Sequence, residues 1–405
     1  MAINKEKFVK YYDLLVLFFL SVGFITSQYS IALSSIGIGV TLGLTAIRLI
    51  IDGKIYYGDK NLLYLIFLFI LSQVISSAFC SNTSESFTNI FKKIVIYIIF
   101  FGSVFFINDT KQLKKIFLAL FIFSALISTI EIIRFIIDYN SLGDKPLAEY
   151  RLDYYGYPIT NGEIKMLILL TAIPFIIAKK DFIMNKILLI ILTIPVFISF
   201  YLTNARNALL GLLAGLILIG LLKNKYFLIV LIVFVALFLL LAPLPLKERM
   251  FSIVDLNHPS NKTRIIMWET GLRMIKDHTV IGIGDTDINK AYRQYKTPEF
   301  HGEGSHMHNN LIQVVLTLGV AGGLIWLILM LYIFIRQIKI YFKTKSDEFL
   351  NIIAVSSLAS MIAFQIAGLT EWNFGDAEFA AVLWFNLSLA FVAEKLINRK
   401  QNGKV

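Results

Sequence analysis

Three of the five histidines in this chain lie within eight residues, in the run HGEGSHMHNN that leads into a long apolar segment. They are His301, His306 and His308, and Asn309 follows the last of them directly. Imidazole is the side chain whose ordinary pKa suits proton transfer near neutral pH. Histidines at the edge of an apolar segment are therefore candidates for a general base. The alternative interpretation is a solvated loop whose histidines only line the water interface.

Two arginines are candidates for binding a phosphate group. Arg206 lies in TNARNALLG, a very short connection between two apolar segments, and Arg264 lies in NKTRIIMW. A guanidinium fits a diphosphate in a two-pronged geometry that lysine cannot match, and it stabilises the charge of a departing diphosphate. The alternative for Arg206 is contact with lipid phosphates. Lys92 and Lys93 are weaker diphosphate candidates, for which an interfacial role is equally open.

Metal and nucleotide chemistry receive little support. His306 and His308 alternate like metal ligands on an extended strand, but neither an HExxH motif nor a cysteine pair accompanies them. The glycines Gly282 and Gly284 lack the preceding strand and the remaining residues of a phosphate-binding loop. The sequence therefore predicts neither a metal ion nor any other cofactor.

Composition identifies an integral membrane protein. Of the 405 residues, 57% are hydrophobic and 14% aromatic, the mean hydropathy is +0.73, and only 16% are charged. Ordinary globular domains have about 25% charged residues. The single cysteine, Cys80, excludes a disulfide framework within the chain. The net charge of +11 does not indicate nucleic-acid binding, because the basic residues fall between apolar runs without interleaved aromatics.

About twelve apolar segments are long enough to cross a bilayer. They lie near residues 11–27, 30–50, 62–80, 92–107, 116–137, 163–178, 186–202, 207–222, 226–243, 310–335, 349–369 and 377–396. Basic residues cluster in alternate connections, near 5–10, 54–60, 111–115, 179–186, 223–225, 336–345 and 395–404. The positive-inside rule places these connections and both termini in the cytoplasm, with an uncleaved first span. Arg206, Arg264 and the histidine run then face outward.

Three divisions of the chain follow from this topology. Residues 1–243 hold the first nine membrane helices, residues 244–309 form one large outward loop, and residues 310–405 hold the last three helices and a cytoplasmic tail. Within the large loop, TRIIMWETGLRMIKDH predicts an amphipathic helix close to the bilayer. Its apolar face comprises Ile266, Met267, Thr270, Met274 and Ile275. A second long outward loop covers residues 138–162. The last outward connection, 370–378, could hold acceptor hydroxyls, but an ordinary solvated connection is the preferred interpretation.

A diphosphate site and a histidine at the outer face of a membrane-embedded body suggest a donor in which a sugar is linked to a lipid diphosphate. Three motifs add a family resemblance: His308-Asn309 followed after nine residues by Gly319-Val320-Ala321-Gly322, TNARNALLG with Arg206, and TRIIMWETGLRMI with Arg264. Together they resemble the signature of bacterial O-antigen ligases and the related O-antigen polymerases. The layout of about twelve spans, with one dominant outer loop before the last three, is also similar.

The resemblance implies a metal-independent, inverting glycosyltransferase of the GT-C class in the bacterial inner membrane, with its site facing the periplasm. In the ligase branch, it would transfer a glycan from undecaprenyl diphosphate to a lipid A-core sugar in lipopolysaccharide biosynthesis. By the same resemblance His308 would be the general base and Arg206 and Arg264 would bind the diphosphate. His306 would support the base. A polymerase that extends lipid-linked repeats is the alternative.

The helix after the histidine run must hold the base in place. Asn309 or Asn310 could cap that helix. Gly319 and Gly322 lie roughly 16 Å or more further along it, at 1.5 Å per residue, and are therefore expected to serve close helix packing.

A transporter is the remaining alternative, and it should place ionisable residues near the middle of the membrane. The candidates are Glu131 and Arg134, which are expected to pair with each other on one helix. The sequence has no internal repeat that would favour a transporter.

Overall fold

The computed structural model describes residues 5–52, 58–141, 150–241, 244–253, 255–297 and 304–403. All regular secondary structure in these ranges is helical. In chain order the helices are α1 (Lys5–Ile25), α2 (Ile31–Asp52), α3 (Lys60–Phe79), α4 (Thr83–Ile94), α5 (Tyr97–Phe106), α6 (Thr110–Ser141), α7 (Pro158–Ile176), α8 (Lys186–Leu202), α9 (Arg206–Lys223), α10 (Lys225–Leu241), α11 (Leu244–Phe251), α12 (Pro259–Asp277), α13 (Ile288–Tyr295), α14 (Asn310–Lys343), α15 (Glu348–Ala367) and α16 (Ala377–Gln401).

The predicted membrane fold is confirmed. Ten helical segments in the described part of the chain are long and apolar enough to cross a membrane. One of them combines α4 and α5 over Thr83–Phe106. The other two predicted spans coincide with α8 and α10, which are apolar helices of 17 residues each. The twelve predicted segments therefore all correspond to apolar helices.

Helices α7, α15 and α16 form the centre of the bundle, and almost every residue along them is buried. By contrast, α10 has no buried residue and packs mainly against α9. A helix that is apolar on all sides and uncovered by protein is suited to contact lipid. The bundle therefore has a dense centre made of the last helices and α7, with α10 at its edge.

Helix α14 is interrupted at Gly319, which has φ 71° and ψ 178°. This backbone conformation favours glycine, and a side chain there would overlap the carbonyl group of Val280. The break frees carbonyl groups that the large loop then uses: the N–H of Ile283 donates to Leu316 O at 3.0 Å. The prediction that Gly319 serves helix packing within one continuous helix was wrong. Gly322 faces Leu318, on the other side of the break in the same helix.

The described part of the large loop contains α11, α12 and α13. The predicted amphipathic helix is α12, and its apolar face is buried, with Met267 and Met274 in a small core beside Met307 and Leu316. This face packs against protein, and the position of α12 close to the bilayer stays a prediction. The packing joins the loop to the helix that follows the histidine run.

The expected pair of Glu131 and Arg134 does not form. Arg134 lies over the ring of Tyr155, with its guanidinium carbon 5.3 Å from the ring centroid. Glu131 forms an ion pair with Lys165 of α7 instead, with Lys165 Nζ 2.9 Å from Glu131 Oε2. Helical spacing alone predicted a neighbour along the helix, but the closest cation came from another helix.

Candidate functional site

The candidate site lies where the N-terminus of α14 meets the connection between α15 and α16. Its centre is Glu371, a carboxylate that is only 4% exposed. Glu371 Oε1 accepts hydrogen bonds from His306 Nε2 at 2.9 Å, from His308 Nδ1 at 2.7 Å and from the Trp372 N–H at 3.1 Å. One carboxylate oxygen thereby fixes both imidazole rings.

The preferred interpretation of residues 370–378 as an ordinary solvated connection was wrong. Glu371 is buried in contact with the histidines, and Asn373 is buried with 0% exposure. The Asn373 N–H donates to Asn310 Oδ1 at 3.2 Å. Neighbours distant in sequence bury this connection, so its own composition of charged and small residues gave no signal of it.

Arg264 joins the cluster from α12, with its Nη2 atom 3.5 Å from Glu371 Oε2. Both oxygens of Glu371 therefore face basic groups, the histidines on one side and the arginine on the other. Burial alone would raise the pKa of Glu371, but the hydrogen bonds from His306 and His308 hold it well below its usual range. Glu371 is accordingly an anion at neutral pH.

Arg206 begins α9 and reaches the same helix, α12. Its Nη1 atom donates to Ser252 Oγ at 2.8 Å, and its Nη2 atom donates to Ser260 Oγ. Ser260 and Arg264 are four residues apart on α12, and residues at this spacing share one face of a helix. The contacts of the two arginines thus lie one helical turn apart, about 6 Å along the helix axis.

Two residues other than glycine have positive φ in the described part of the chain, and both adjoin the candidate site: His308, with φ 45°, and Asn204, with φ 55°. This conformation costs a residue other than glycine about 1–2 kcal/mol. The strained backbone of His308 is stabilised by the next residue. Asn309 is the N-cap of α14, and its Oδ1 atom accepts from the Ile312 N–H at 3.0 Å. The predicted cap at Asn309 is therefore confirmed.

An apolar cavity of about 390 Å³ lies beside Arg206. Helices α8, α9 and α10 line it, with Phe200, Phe234 and Phe238 among the lining side chains. Its position between a guanidinium and the edge helix α10 suits an apolar chain whose polar end is anionic. The motif TNARNALLG gave no indication of this cavity, because the residues of α8 and α10 complete it.

The remaining predicted site residues lie elsewhere or outside the described ranges. Lys93 Nζ is paired with Asp285 Oδ2 at 2.5 Å, and Lys92 is exposed on α4. Their assignment to a diphosphate stays a prediction. His301 lies outside the described residues.

The cluster also has the donor set of a possible metal site. The ligand atoms of His306, His308 and Glu371 lie within 4.8 Å of one another. Two imidazoles and one carboxylate are a ligand set that zinc accepts. The same residues therefore fit either a hydrogen-bonded base or a metal centre, and the two differ in their response to chelators.

Comparison with known proteins identifies one family. Residues 188–327 match the family model described as O-antigen ligase. Arg206, Arg264 and His308 all lie within the matched region, whereas Glu371 lies beyond it. The search of curated proteins gave no match. The family match supports membership of the O-antigen ligase/polymerase superfamily.

Proposed function

We propose, from the match of residues 188–327 to the O-antigen ligase family model, that this chain is an O-antigen ligase. The proposed reaction transfers a glycan from undecaprenyl diphosphate to a sugar of the lipid A-core, at the periplasmic face of the inner membrane. The observation that carries the proposal is the convergence of His308 and Arg264 on Glu371. A candidate base and a phosphate-binding group thereby meet at one end of a membrane bundle.

His308 is the proposed general base. Its Nδ1 atom is bonded to Glu371, an anion that accepts and cannot donate, so Nδ1 carries the proton and Nε2 is the nitrogen left to accept one. Glu371 would then stabilise the imidazolium that forms when the base takes the proton. This relation between a carboxylate and an imidazole is the one that orients the base in hydrolytic triads.

The proposed transfer is a single displacement with inversion. The acceptor hydroxyl gives its proton to His308 Nε2 as its oxygen bonds to the sugar carbon. The bond between that carbon and the diphosphate oxygen breaks, and the electron pair leaves with the diphosphate. Arg206 and Arg264 would stabilise the developing charge, without a metal ion. In the structure Arg206 bonds to Ser252 and Arg264 pairs with Glu371. A bound diphosphate would replace these partners or bind the guanidinium groups alongside them.

The apolar cavity beside Arg206 supports a donor on a lipid carrier. A diphosphate held by Arg206 would leave the attached polyprenyl chain next to the lining phenylalanines. A nucleotide sugar has no such chain, so a soluble donor would leave the cavity unused. The apolar surface of α10 at the edge of the bundle provides a route from the bilayer.

The test is reconstitution of the purified protein in liposomes with undecaprenyl-diphosphate-linked glycan and lipid A-core. A ligase yields glycan on lipid A-core. Product found only as longer lipid-linked chains would assign the protein to the polymerase branch and overturn the ligase proposal. In the same assay His278→Ala is the matched control for His308→Ala, because His278 is an exposed histidine of the same loop outside the cluster.

The phenotype of a deletion strain provides the second arm. Loss of a ligase should leave bare lipid A-core while long glycan remains on undecaprenyl diphosphate. Loss of a polymerase should instead leave core that carries a single repeat unit. The lipopolysaccharide gel profile distinguishes the two.

A further inference from the structure

Glu163, on the first turns of α7, is a fully buried carboxylate with 0% exposure. Its Oε1 atom accepts hydrogen bonds from Asn207 Nδ2 and, at 2.9 Å, from Asn373 Nδ2. Its Oε2 atom has no hydrogen-bond partner among the described residues. A buried carboxylate that is only half satisfied costs free energy, so its presence calls for a role.

The partners of Glu163 lie beside the candidate site on two different elements. Asn207 directly follows Arg206 in the first turn of α9, and Asn373 lies two residues after Glu371. Both donate to the same oxygen atom. The position of that atom therefore limits how far the start of α9 can move from the connection that carries Glu371.

The network continues to the helix of the base. Asn310 Nδ2 donates to Asn373 Oδ1 at 2.8 Å, and the Asn310 N–H donates to Gly368 O at 2.8 Å. Asn310 lies two residues after His308. An unbroken chain of side chains, Asn207, Glu163, Asn373 and Asn310, thus connects the segments that carry Arg206, Glu371 and His308.

We propose that Glu163 is a positioning residue of the transfer reaction, which holds Arg206 at a fixed separation from the pair of His308 and Glu371. The inference rests on the proposed function. Glu163 does not touch the substrate. It acts through the two asparagines, whose amides bring the leaving-group end and the base end of the site to a single acceptor atom. Small displacements of reacting groups have large effects on rate, so such a network controls turnover without contacting the reacting atoms.

The test removes or keeps the shared acceptor atom. Glu163→Leu removes the acceptor of both asparagines at similar volume, so the two segments should lose their common anchor. Glu163→Gln keeps an amide oxygen in the place of Oε1, which accepts from both Asn207 and Asn373. We expect Glu163→Leu to lower kcat/KM on the order of 10²-fold. Glu163→Gln should stay near the wild-type value.

The matched control is Asn386→Leu. Asn386 of α16 is also buried, with an oxygen that has no hydrogen-bond partner among the described residues, and it donates to Ser360 Oγ at 3.1 Å and to Leu167 O at 3.2 Å. It contacts none of the site segments in these bonds. The variant should reduce the amount of folded protein and leave kcat/KM per folded molecule unchanged. The inference is overturned if Glu163→Leu behaves like this control, or if Glu163→Gln is as impaired as Glu163→Leu.

A second measurement keeps the inference separate from the proposed function. The rate at which diethyl pyrocarbonate modifies His308, followed by mass spectrometry, needs no substrate. It should change in Glu163→Leu and stay at the wild-type rate in Glu163→Gln. An unchanged rate in Glu163→Leu overturns the inference. If the wild-type protein extends only lipid-linked chains, the ligase proposal fails, while loss of that activity in Glu163→Leu and its retention in Glu163→Gln would still support the role of Glu163.

Discussion

Glu131 inside the helix bundle and Glu371 at its end are both buried carboxylates with basic partners. Glu131 is enclosed: Lys165 pairs with it, Asn161 Nδ2 donates at 2.7 Å, and Ser199 Oγ donates at 2.7 Å. The side chains of Glu131 and Lys165 are 0% and 2% exposed. Every group around Glu131 comes from a helix of the bundle, so this pair is closed to substrate.

The cluster of Glu371 is closed on one side only. The side chain of Glu371 is 5% exposed, but those of His306 and His308 are 30% and 24% exposed. A buried ion pair is by itself weak evidence for stability or for function. The difference lies in access: partners of Glu371 reach the surface on connections and helix ends, whereas the partner of Glu131 remains among helices. The comparison predicts that changes at Glu371 affect turnover and changes at Glu131 affect folding.

Replacement of the base gives the largest expected effect. His308→Ala removes the nitrogen that accepts the acceptor proton, so transfer should fall on the order of 10²- to 10⁴-fold. The rate of transfer to lipid A-core in liposomes measures this, at equal amounts of folded protein. His278→Ala should retain the wild-type rate. Retention of the wild-type rate by His308→Ala would remove His308 from the mechanism.

Breaking the closed pair should act on stability instead. Glu131→Ala leaves the ammonium group of Lys165 buried without its partner, a change that typically costs about 3–5 kcal/mol. Thermal unfolding in detergent, monitored by tryptophan fluorescence, measures the loss. Glu131→Leu combined with Lys165→Met should recover part of it, because an apolar pair of similar volume replaces both charges while Asn161 and Ser199 still lose their acceptor. A lowered kcat/KM in folded Glu131→Ala protein would contradict the division between the two clusters.

The arginines should show a smaller loss of rate. Arg206→Lys and Arg264→Lys keep the charge but lose the two-pronged hydrogen-bonding geometry of the guanidinium, so donor binding should weaken roughly 10- to 100-fold. The KM for the lipid-linked donor should rise more than the KM for the acceptor. Arg273→Lys is the matched control on α12, since Arg273 bonds to Thr270 and to the carbonyl of Tyr295 within the loop. Equal changes in both KM values would argue against diphosphate binding.

Several features of the fold were predictable from the sequence, because they depend on residues close together in the chain. Apolar runs located the spans, the spacing of Met267 and Met274 located the buried face of α12, and the HN dipeptide located the start of α14 at Asn309. Each of these depends on residues within one or two helical turns. The motifs that carry the resemblance lie in residues 188–327, so the match of this segment to the O-antigen ligase model was predictable too.

The partners of the charged groups were not predictable, because other segments supply them. Glu371 lies 63 residues after His308, and nothing around it differs from an ordinary acidic connection. Glu163 and Lys165 were overlooked inside a predicted span, since two charges near its end did not interrupt the apolar pattern. The break at Gly319 was also missed, because a glycine within an apolar run is equally compatible with close packing of a continuous helix.

Asp376, in the same connection between α15 and α16 as Glu371, should make the stability of the folded protein depend on pH. Burial raises the pKa of Asp376 to about 6, against an ordinary 3.8, and a hydrogen bond from Thr160 opposes the rise. Between these values the folded protein holds a proton that the unfolded chain has lost. Stability therefore falls as pH rises through this window, and the cost is complete above about pH 6. Asp376→Asn should stabilise the protein by roughly 1–2 kcal/mol at pH 7, and the gain should vanish below pH 4. A gain that persists at low pH would contradict this assignment.

Chelation should have the smallest effect, and it tests whether the open cluster is a base or a metal centre. His306, His308 and Glu371 present ligand atoms within 4.8 Å of one another, so geometry alone permits a metal ion. In the base interpretation, however, Glu371 Oε1 is already shared by both imidazoles, and Oε2 faces Arg264. A divalent cation there would add charge beside a guanidinium, which electrostatic repulsion disfavours.

Transfer in liposomes should therefore be unchanged after EDTA treatment. Loss of transfer in EDTA that one added divalent metal restores, together with equal sensitivity to His306→Ala and His308→Ala, would identify a metal centre. Arg264 would then orient Glu371 as a metal ligand and would not bind the diphosphate.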